Sequence, residues 1–516
     1  MMQRPPRSLT HTCRQPVPRT IRPFLTAGLT AGLTAVTGIL FMGIFSCHRQ
    51  SDPPDIVLIS VDTLRADHLG GYGNQRLTTP CMDRLQRMGT TVRECICQVP
   101  ITLPSFASIL TGRLPHRHGV RNNGTYYLPD REVTLAERLA AAGYHTAAFI
   151  GAYPLHAKFG LAQGFHYYDD RFLELGTGGA AWQSHYNERL AGEVTAAAMD
   201  WLQKRSAHPL FIWLHYYDPH LPYAPPPPFN KGTRDELYSA EVSYVDRCIE
   251  RFLNALSEKS TKPLICLTAD HGESLGAHGE QTHGTLLYDG TVSVPLVFVA
   301  DSIPAGVILD YQAECVDIAP TLAALAGLGP NPEVDGTDFS TALRSTQAPQ
   351  EKPARIESLQ SYLDFGWHPL AAVRTSTVKG IKSTVDTWHD LANDPIEEQV
   401  ADPDPDLVRI LDRHFQQVVR SMEHTSAQRE INDEELARLK ALGYLEGDGS
   451  DRRPDFAALP DPADMIRQVV RLLDQASAAA AARRYEEAIE LYEQVLTVNP
   501  GNPTALERCG HARFLN

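Results

Sequence analysis

The chain has 516 residues, 43% hydrophobic and 21% charged, an ordinary globular composition with room for two or three domains and a large buried core. Its formal net charge of -15 argues against binding nucleic acid or anionic lipid by bulk electrostatics, so an anionic substrate would need locally placed cations, such as a bound metal. Nine cysteines do not make a disulfide scaffold at this length; the close pair Cys95 and Cys97 reads as small buried apolar side chains on one strand face, or as an exported-compartment disulfide.

Residues 1–47 begin with an Arg-rich stretch without acids and continue with the uncharged Phe24 to Cys47, the pattern of a signal peptide or membrane anchor. The ending Ile44-Phe45-Ser46-Cys47 resembles a bacterial lipoprotein signal with Cys47 lipidated; an uncleaved membrane helix and an ordinary signal peptide are the alternatives. Export to the periplasm or cell surface, with anchoring to the membrane through the N-terminus, is the common expectation.

After Asp52-Pro53-Pro54, the apolar, β-branched run Ile56 to Val61 ends in Asp62, as a buried parallel strand would. Similar runs occur at His145 to Ile150, Leu210 to His215, Leu264 to Thr268 and Val294 to Val299. Helical patterns at Leu135 to Ala142, Gly192 to Lys204 and Leu237 to Leu256 alternate with them. This alternation predicts an α/β fold with a doubly wound, mostly parallel sheet, whose ligands bind beyond the carboxyl ends of the strands, where Asp62, Asp218 and Asp270 fall.

Pro-rich stretches near Gly327 and Gln347 mark the end of a catalytic domain spanning 54–345, and a small α+β subdomain follows at 355–420. Residues 421–463 read as a helical segment, Asp433 to Leu442, and a polar linker. In 464–516, Tyr485, Ala488, Ile489, Tyr492 and Leu496 fall at helical spacing within Ala478 to Leu496, and a second helix starts at Thr504. This unit resembles a tetratricopeptide repeat, which caps the enzyme or takes a protein partner.

The segment Thr268-Ala269-Asp270-His271-Gly272-Glu273 delivers a carboxylate and an imidazole side by side at a strand end, where both can reach one divalent ion, or simply hydrogen-bond each other. Asp62 stops an apolar strand and would be costly to bury unless paired or metal-bound, although a helix N-cap is the plainer role. Thr102 and Pro104 suit a helix start, and the free N–H groups there favour an anion. His215 and His220 read as aromatic-packed histidines or as site residues.

With Thr102-Leu103-Pro104-Ser105 through Thr111-Gly112-Arg113, Pro115-His116-Arg117-His118-Gly119, Asp218-Pro219-His220-Leu221-Pro222-Tyr223, His283-Gly284, Leu287-Tyr288-Asp289 and Val294-Pro295-Leu296, the chain resembles the sulfatase family of the alkaline-phosphatase superfamily. The resemblance runs from about Asp55 to Arg420. It implies an alkaline-phosphatase-like fold and a metal-dependent hydrolase of anionic esters. It also implies a metal site of Asp62, Thr102, Asp270 and His271 holding Ca2+, Mn2+ or Zn2+. Asp218, His220 and His283 would hold a second ion, or His220 and His283 would bind substrate and protonate the leaving group.

Against the sulfatase pattern, Thr102 stands where Cys or Ser is converted to formylglycine, which a threonine cannot become. Phe106 replaces the supporting arginine, Thr63 the usual second acid, and His283 lies near the place of the catalytic lysine. Cys97 is out of register to substitute. Threonine is the nucleophile of related nucleotide pyrophosphatase/phosphodiesterases, which implies attack by Thr102 on phosphorus, a phosphothreonine intermediate, and Asn123 as donor to the developing charge. The resulting expectation is hydrolysis of a phosphodiester or phosphonate ester. The alternatives are a sulfate-ester hydrolase without formylglycine, a membrane-anchored phospho-group transferase, and a catalytically degenerate scaffold.

Overall fold

Eight segments form the strands of one sheet in the computed structural model: β1 Ile56–Val61, β2 Thr90–Ile96, β3 His145–Ile150, β4 Tyr167–Asp169, β5 Leu210–Tyr216, β6 Leu264–Ala269, β7 Ser293–Val299 and β8 Val307–Glu314. The structure describes residues 53–74, 79–172, 189–205, 209–260, 262–422, 456–500 and 502–516. The N-terminal segment with Cys47 and the expected helix Asp433 to Leu442 lie outside these residues.

The strand order is β4-β3-β5-β1-β6-β7-β2-β8. β1 runs parallel to both neighbours, β5 and β6, and every one of its residues is buried. That double coverage is why its sequence is uninterruptedly apolar rather than alternating. β7 is antiparallel to β6 and to β2, while β2 pairs with β8 in parallel, so β7 runs against the rest of this sheet. Because β1 sits between β5 and β6, the carboxyl ends of all three open onto one crevice, and the loops leaving them carry Asp62, Asp218 and Asp270.

The expected helices form with boundaries shifted by a few residues, at Leu135–Ala141, Ala191–Gln203 and Arg234–Ser257. Two of them start with a capping box, Thr134 with Glu137 and Thr233 with Glu236, each side chain satisfying a backbone N–H that the helix start leaves open.

A second sheet follows, β9 Ala354–Ser358, β10 Leu370–Arg374, β11 Val378–Lys382 and β12 Thr387–Asp390, antiparallel in the order β12-β11-β10-β9. Helix Pro405–Ser421 buries Leu407, Leu411, Phe415 and Val418, the i, i+4, i+8, i+11 stripe of an amphipathic helix.

Three helices close the chain, Pro462–Ala481, Tyr485–Val498 and Pro503–Leu515, around a small core that includes Ala476, Ala479, Ala488, Tyr492 and Ala505. The apolar pattern read across Ala478 to Leu496 is in fact broken by a turn, where Arg483 has φ +60°. The first of these helices docks on both the 355–420 subdomain and the catalytic domain. Asp461 takes its first N–H groups, from Ala463 and Asp464, and the hydroxyls of Ser383 and Thr384. A Cβ on Gly279 would come within 3.1 Å of Ile466. Among the described residues, no helix is long and apolar enough to cross a membrane.

Candidate metal centre

Asp62, Asp270 and His271 are completely buried and offer ligand atoms that all lie within 4.8 Å of one another. His271 Nε2 is 3.4 Å from Asp270 Oδ2 and 3.8 Å from Asp62 Oδ1, and Thr102 Oγ1 lies 3.5 Å from the same nitrogen. His215 Nε2 approaches the other oxygen of Asp62 at 3.5 Å.

Local backbone chemistry fixes this arrangement. Thr63 follows Asp62 with φ +53°, a strained setting for a β-branched residue. It is held there by its N–H donating to Asp270 Oδ1 at 3.3 Å and by its carbonyl accepting from the Tyr238 hydroxyl at 2.8 Å. The His271 N–H also donates to Asp270 Oδ1, at 2.9 Å, and His271 Nδ1 faces the Gly272 carbonyl at 3.0 Å. A carbonyl can only accept, so Nδ1 carries the proton and Nε2 presents a lone pair to the cluster. Position 272 must be glycine, because a Cβ would fall 2.2 Å from the Gly290 carbonyl oxygen.

Helix Thr102–Thr111 brings the hydroxyl. Ile101, not Thr102, occupies its N-cap, and no side chain caps it, so the Thr102 hydroxyl is left to face His271. Ser105 anchors the helix by donating to the Asp270 carbonyl at 2.7 Å. Asn123 Oδ1 accepts the Leu103 N–H at 2.8 Å, which keeps its amide beside Thr102. The helix start offers fewer free donors than expected, since Leu103 N–H is taken, Pro104 has none, and Ser105 N–H bonds the Ile101 carbonyl. Nor does Asp62 cap a helix: the nearby 3-10 turn Ala66–His68 has Arg65 at its N-cap.

The electrostatics are those of a site awaiting positive charge. Both oxygens of Asp62, Oδ2 of Asp270 and Nε2 of His215 are buried without a hydrogen-bond partner. Burial, and next the Asp270 carboxylate, push Asp62 well above the usual carboxylate range. At His271 burial opposes charge, and the Asp270 and Asp62 carboxylates outweigh it and raise the imidazole. Among the described residues, the ion-pair partners of Asp62 and Asp270 are His215 and His271, with no Lys or Arg. Two carboxylates, an imidazole lone pair and a hydroxyl around unsatisfied buried oxygens fit a divalent cation, which would remove the cost of leaving those charges unpaired.

The other expected site residues divide. The His283 ring lies 4.3 Å from that of His271, and the His220 ring 5.1 Å from His283. Burial, and next His271, hold His283 well below its ordinary value, and burial, and next His283, bring His220 down to about 3, so both are neutral. His220 Nδ1 is engaged by the Leu221 carbonyl at 2.6 Å and the Tyr217 hydroxyl at 2.7 Å. Asp218 stands apart. Its Oδ2 accepts the Ala191 N–H at 2.8 Å, at the start of helix Ala191–Gln203, and burial raises it to about 6. Instead, Glu273 Oε1 lies 3.3 Å from His283 Nδ1, a partnership that one residue's place in a motif does not reveal. The ligand cluster found among the described residues contains Asp62, Asp270 and His271 and does not extend to Asp218, His220 and His283. In the sequence His215 reads as an aromatic-packed histidine or as a site residue. It does pack edge-on against Phe106, with ring centres 4.9 Å apart, but its free nitrogen is aimed at Asp62.

The family described as Sulfatase matches residues 54–328, more than half of the chain. Mouse steryl-sulfatase is 27% identical over 468 residues, covering 68% of this chain and 74% of its own. Human arylsulfatase A is 29% identical over 351 residues, covering 57% and 68%. Among solved structures, a 2-O glycosaminoglycan sulfatase superposes with TM-score 0.58 at 18% identity, covering 78% of this chain and 99% of that one. The phosphonate monoester hydrolase of Agrobacterium radiobacter gives TM-score 0.58 at 20% identity, covering 78% and 100%. The chain therefore belongs to the sulfatase family of hydrolases, with the alkaline-phosphatase-like α/β fold.

Proposed function

We propose that the protein hydrolyses a phosphodiester or phosphonate ester, with Thr102 as nucleophile and a divalent ion held by Asp62, Asp270, His271 and Thr102. The observation that carries this reading is the Thr102 hydroxyl, free of any capping role and 3.5 Å from His271 Nε2, beside buried carboxylate oxygens that have no partner. The ion would supply a Lewis acid that favours ionised threonine and offsets charge on the ester. The imidazole in the donor set suits Zn2+ or Mn2+ better than Ca2+.

Thr102 Oγ1 forms a bond to phosphorus as the bond to the leaving oxygen breaks, and the alcohol departs with a proton. Water then attacks phosphorus, the Oγ1–P bond breaks, and threonine is restored. With Oδ1 occupied by Leu103 N–H, Asn123 has its amide donors for the equatorial oxygen. His220 and His283, neutral in the free protein, bind the ester, and an arriving anion raises them toward the charged form that protonates the leaving group. Replacement of the family's arginine and lysine by Phe106 and His283 favours an ester of low charge. The fold likeness to a phosphonate monoester hydrolase is consistent with this.

Sulfate-ester hydrolysis without formylglycine is the second reading, favoured by the names of the relatives. Initial rates on an aryl phosphodiester, a phosphate monoester and an aryl sulfate separate the two, and turnover of sulfate alone would remove the first. Export through residues 1–47, with lipidation of Cys47, and a tetratricopeptide-like role for the last three helices in binding a protein partner complete the proposal. Palmitate labelling that is lost in Cys47→Ser tests the anchor.

A further inference from the structure

β1 and β5 pair in a register that sets Ser60 opposite His215, and side chains two apart share a sheet face, so Ser60 and Asp62 belong together, as do Trp213 and His215. The Trp213 indole N–H donates to Ser60 Oγ at 2.9 Å. Ser60 Oγ is 3.3 Å from His215 Nδ1 and 3.2 Å from the Leu214 carbonyl. An indole nitrogen only donates and an ionised carboxylate only accepts. The indole N–H donates to Ser60, and when the serine hydroxyl donates to His215 Nδ1 rather than to the Leu214 carbonyl, His215 carries its proton on Nε2, aimed at Asp62 Oδ2 3.5 Å away. Phe106 closes the ring from the side, edge-on at 4.9 Å, and Nε2 has no other partner.

We infer that His215 is a positioning residue of the metal centre, holding Asp62 Oδ2 from behind so that Oδ1 faces His271 and Asp270, and that Ser60 and Trp213 fix the tautomer that lets it do so. This rests on the reading of Asp62, Asp270 and His271 as a divalent-metal site and extends it to three residues of the sheet interior. Ligating carboxylates elsewhere depend on such outer partners for their orientation. In the crevice, Phe106 thus takes part in the site by confining an imidazole.

The test is Mn2+ affinity of the full chain, read from the electron paramagnetic resonance of free Mn2+ with the protein otherwise metal-free. Wild type is compared with His215→Ala, His215→Gln and Ser60→Ala. His215→Ala is expected to bind roughly 10- to 100-fold more weakly, Ser60→Ala to lose less, and His215→Gln, which restores an N–H donor, to recover most of the loss. Should His215→Ala fold poorly by circular dichroism, Ser60→Ala carries the comparison, since it removes only a hydroxyl. Wild-type affinity in both His215→Ala and Ser60→Ala overturns the assignment while leaving the metal site standing. A His215→Gln variant as weak as His215→Ala also overturns it, by making the imidazole itself a ligand. A wild-type protein that binds no Mn2+, Zn2+ or Ca2+ removes the metal reading and this inference together.

Discussion

Two buried charge clusters in this molecule are built by opposite rules. Around Asp289, the chain supplies its own counter-charges. Arg374 donates to both Asp289 oxygens and to Glu94, and Lys379, fully buried, lies 2.9 Å from Asp289 and 2.9 Å from Glu397. That network joins the main sheet to the second sheet, through Glu94 in β2, Arg374 in β10 and Lys379 in β11. Around Asp62, two carboxylates share a buried space with His271 and His215; among the described residues no Lys or Arg forms an ion pair with either carboxylate, and three carboxylate oxygens have no hydrogen-bond partner. The first cluster shows that this chain can satisfy buried charge where the purpose is cohesion. The second leaves it open where a cation from outside would complete it.

Substitutions should separate the two clusters. Asp62→Asn is expected to weaken divalent-metal binding by more than the roughly 100-fold of an outer-partner change and to abolish hydrolysis, with little loss of metal-free stability; calorimetric titration and melting measure both. Lys379→Met is expected to do the reverse. Removing one member of a buried pair costs about 3–5 kcal/mol, read by urea unfolding, while metal affinity stays near wild type. Adding metal at 100 times its Kd should stabilise wild type by about 2.7 kcal/mol and leave Asp62→Asn unmoved. If both proteins responded alike, the open cluster would not be the metal site.

Proton linkage gives a smaller contrast. Burial opposes ionisation of Asp289, but Arg374 and Lys379 outweigh it and hold the carboxyl below its ordinary range. Its contribution is therefore present above the unfolded pKa and lost as pH falls through the depressed one. Asp62 is raised, so in metal-free protein its contribution is present below the unfolded pKa and lost as pH rises through the folded value. Above the ordinary carboxylate range, about pH 4, metal-free stability should accordingly shift in favour of Asp62→Asn, relative to wild type, as pH rises. The deficit of Asp289→Asn should instead shrink as pH falls. Parallel profiles for the two variants would contradict the contrast.

The sheet's centre was legible because β1, β5 and β6 are buried on both faces and so read as plain apolar runs. β4, three residues long, and β8, whose first half alternates between buried and exposed positions, carry no such run. The reversed direction of β7 left no trace because strand direction is decided by pairing, not by composition. Asp62, Asp270 and His271 could be named since a strand-end acid and an Asp-His pair are local features. The partner of Asp218, the N–H of Ala191, is 27 residues away and invisible in the chain order. Similarly, the aim of His215 depends on the register that sets it opposite Ser60. Glu397 and Lys379 gave no hint that they would meet Asp289 across the subdomain boundary.

The central claim is that an unmodified threonine beside an open carboxylate cluster performs the chemistry. It is tested most directly by aryl phosphodiester hydrolysis with Mn2+ or Zn2+ added to the full chain, beside Thr102→Ala. The account predicts metal-dependent turnover in wild type and a loss of at least about 10³-fold in the variant, measured at metal concentrations that saturate the three remaining ligands, Asp62, Asp270 and His271. Turnover that survives Thr102→Ala, or that occurs on aryl sulfate alone, would contradict it.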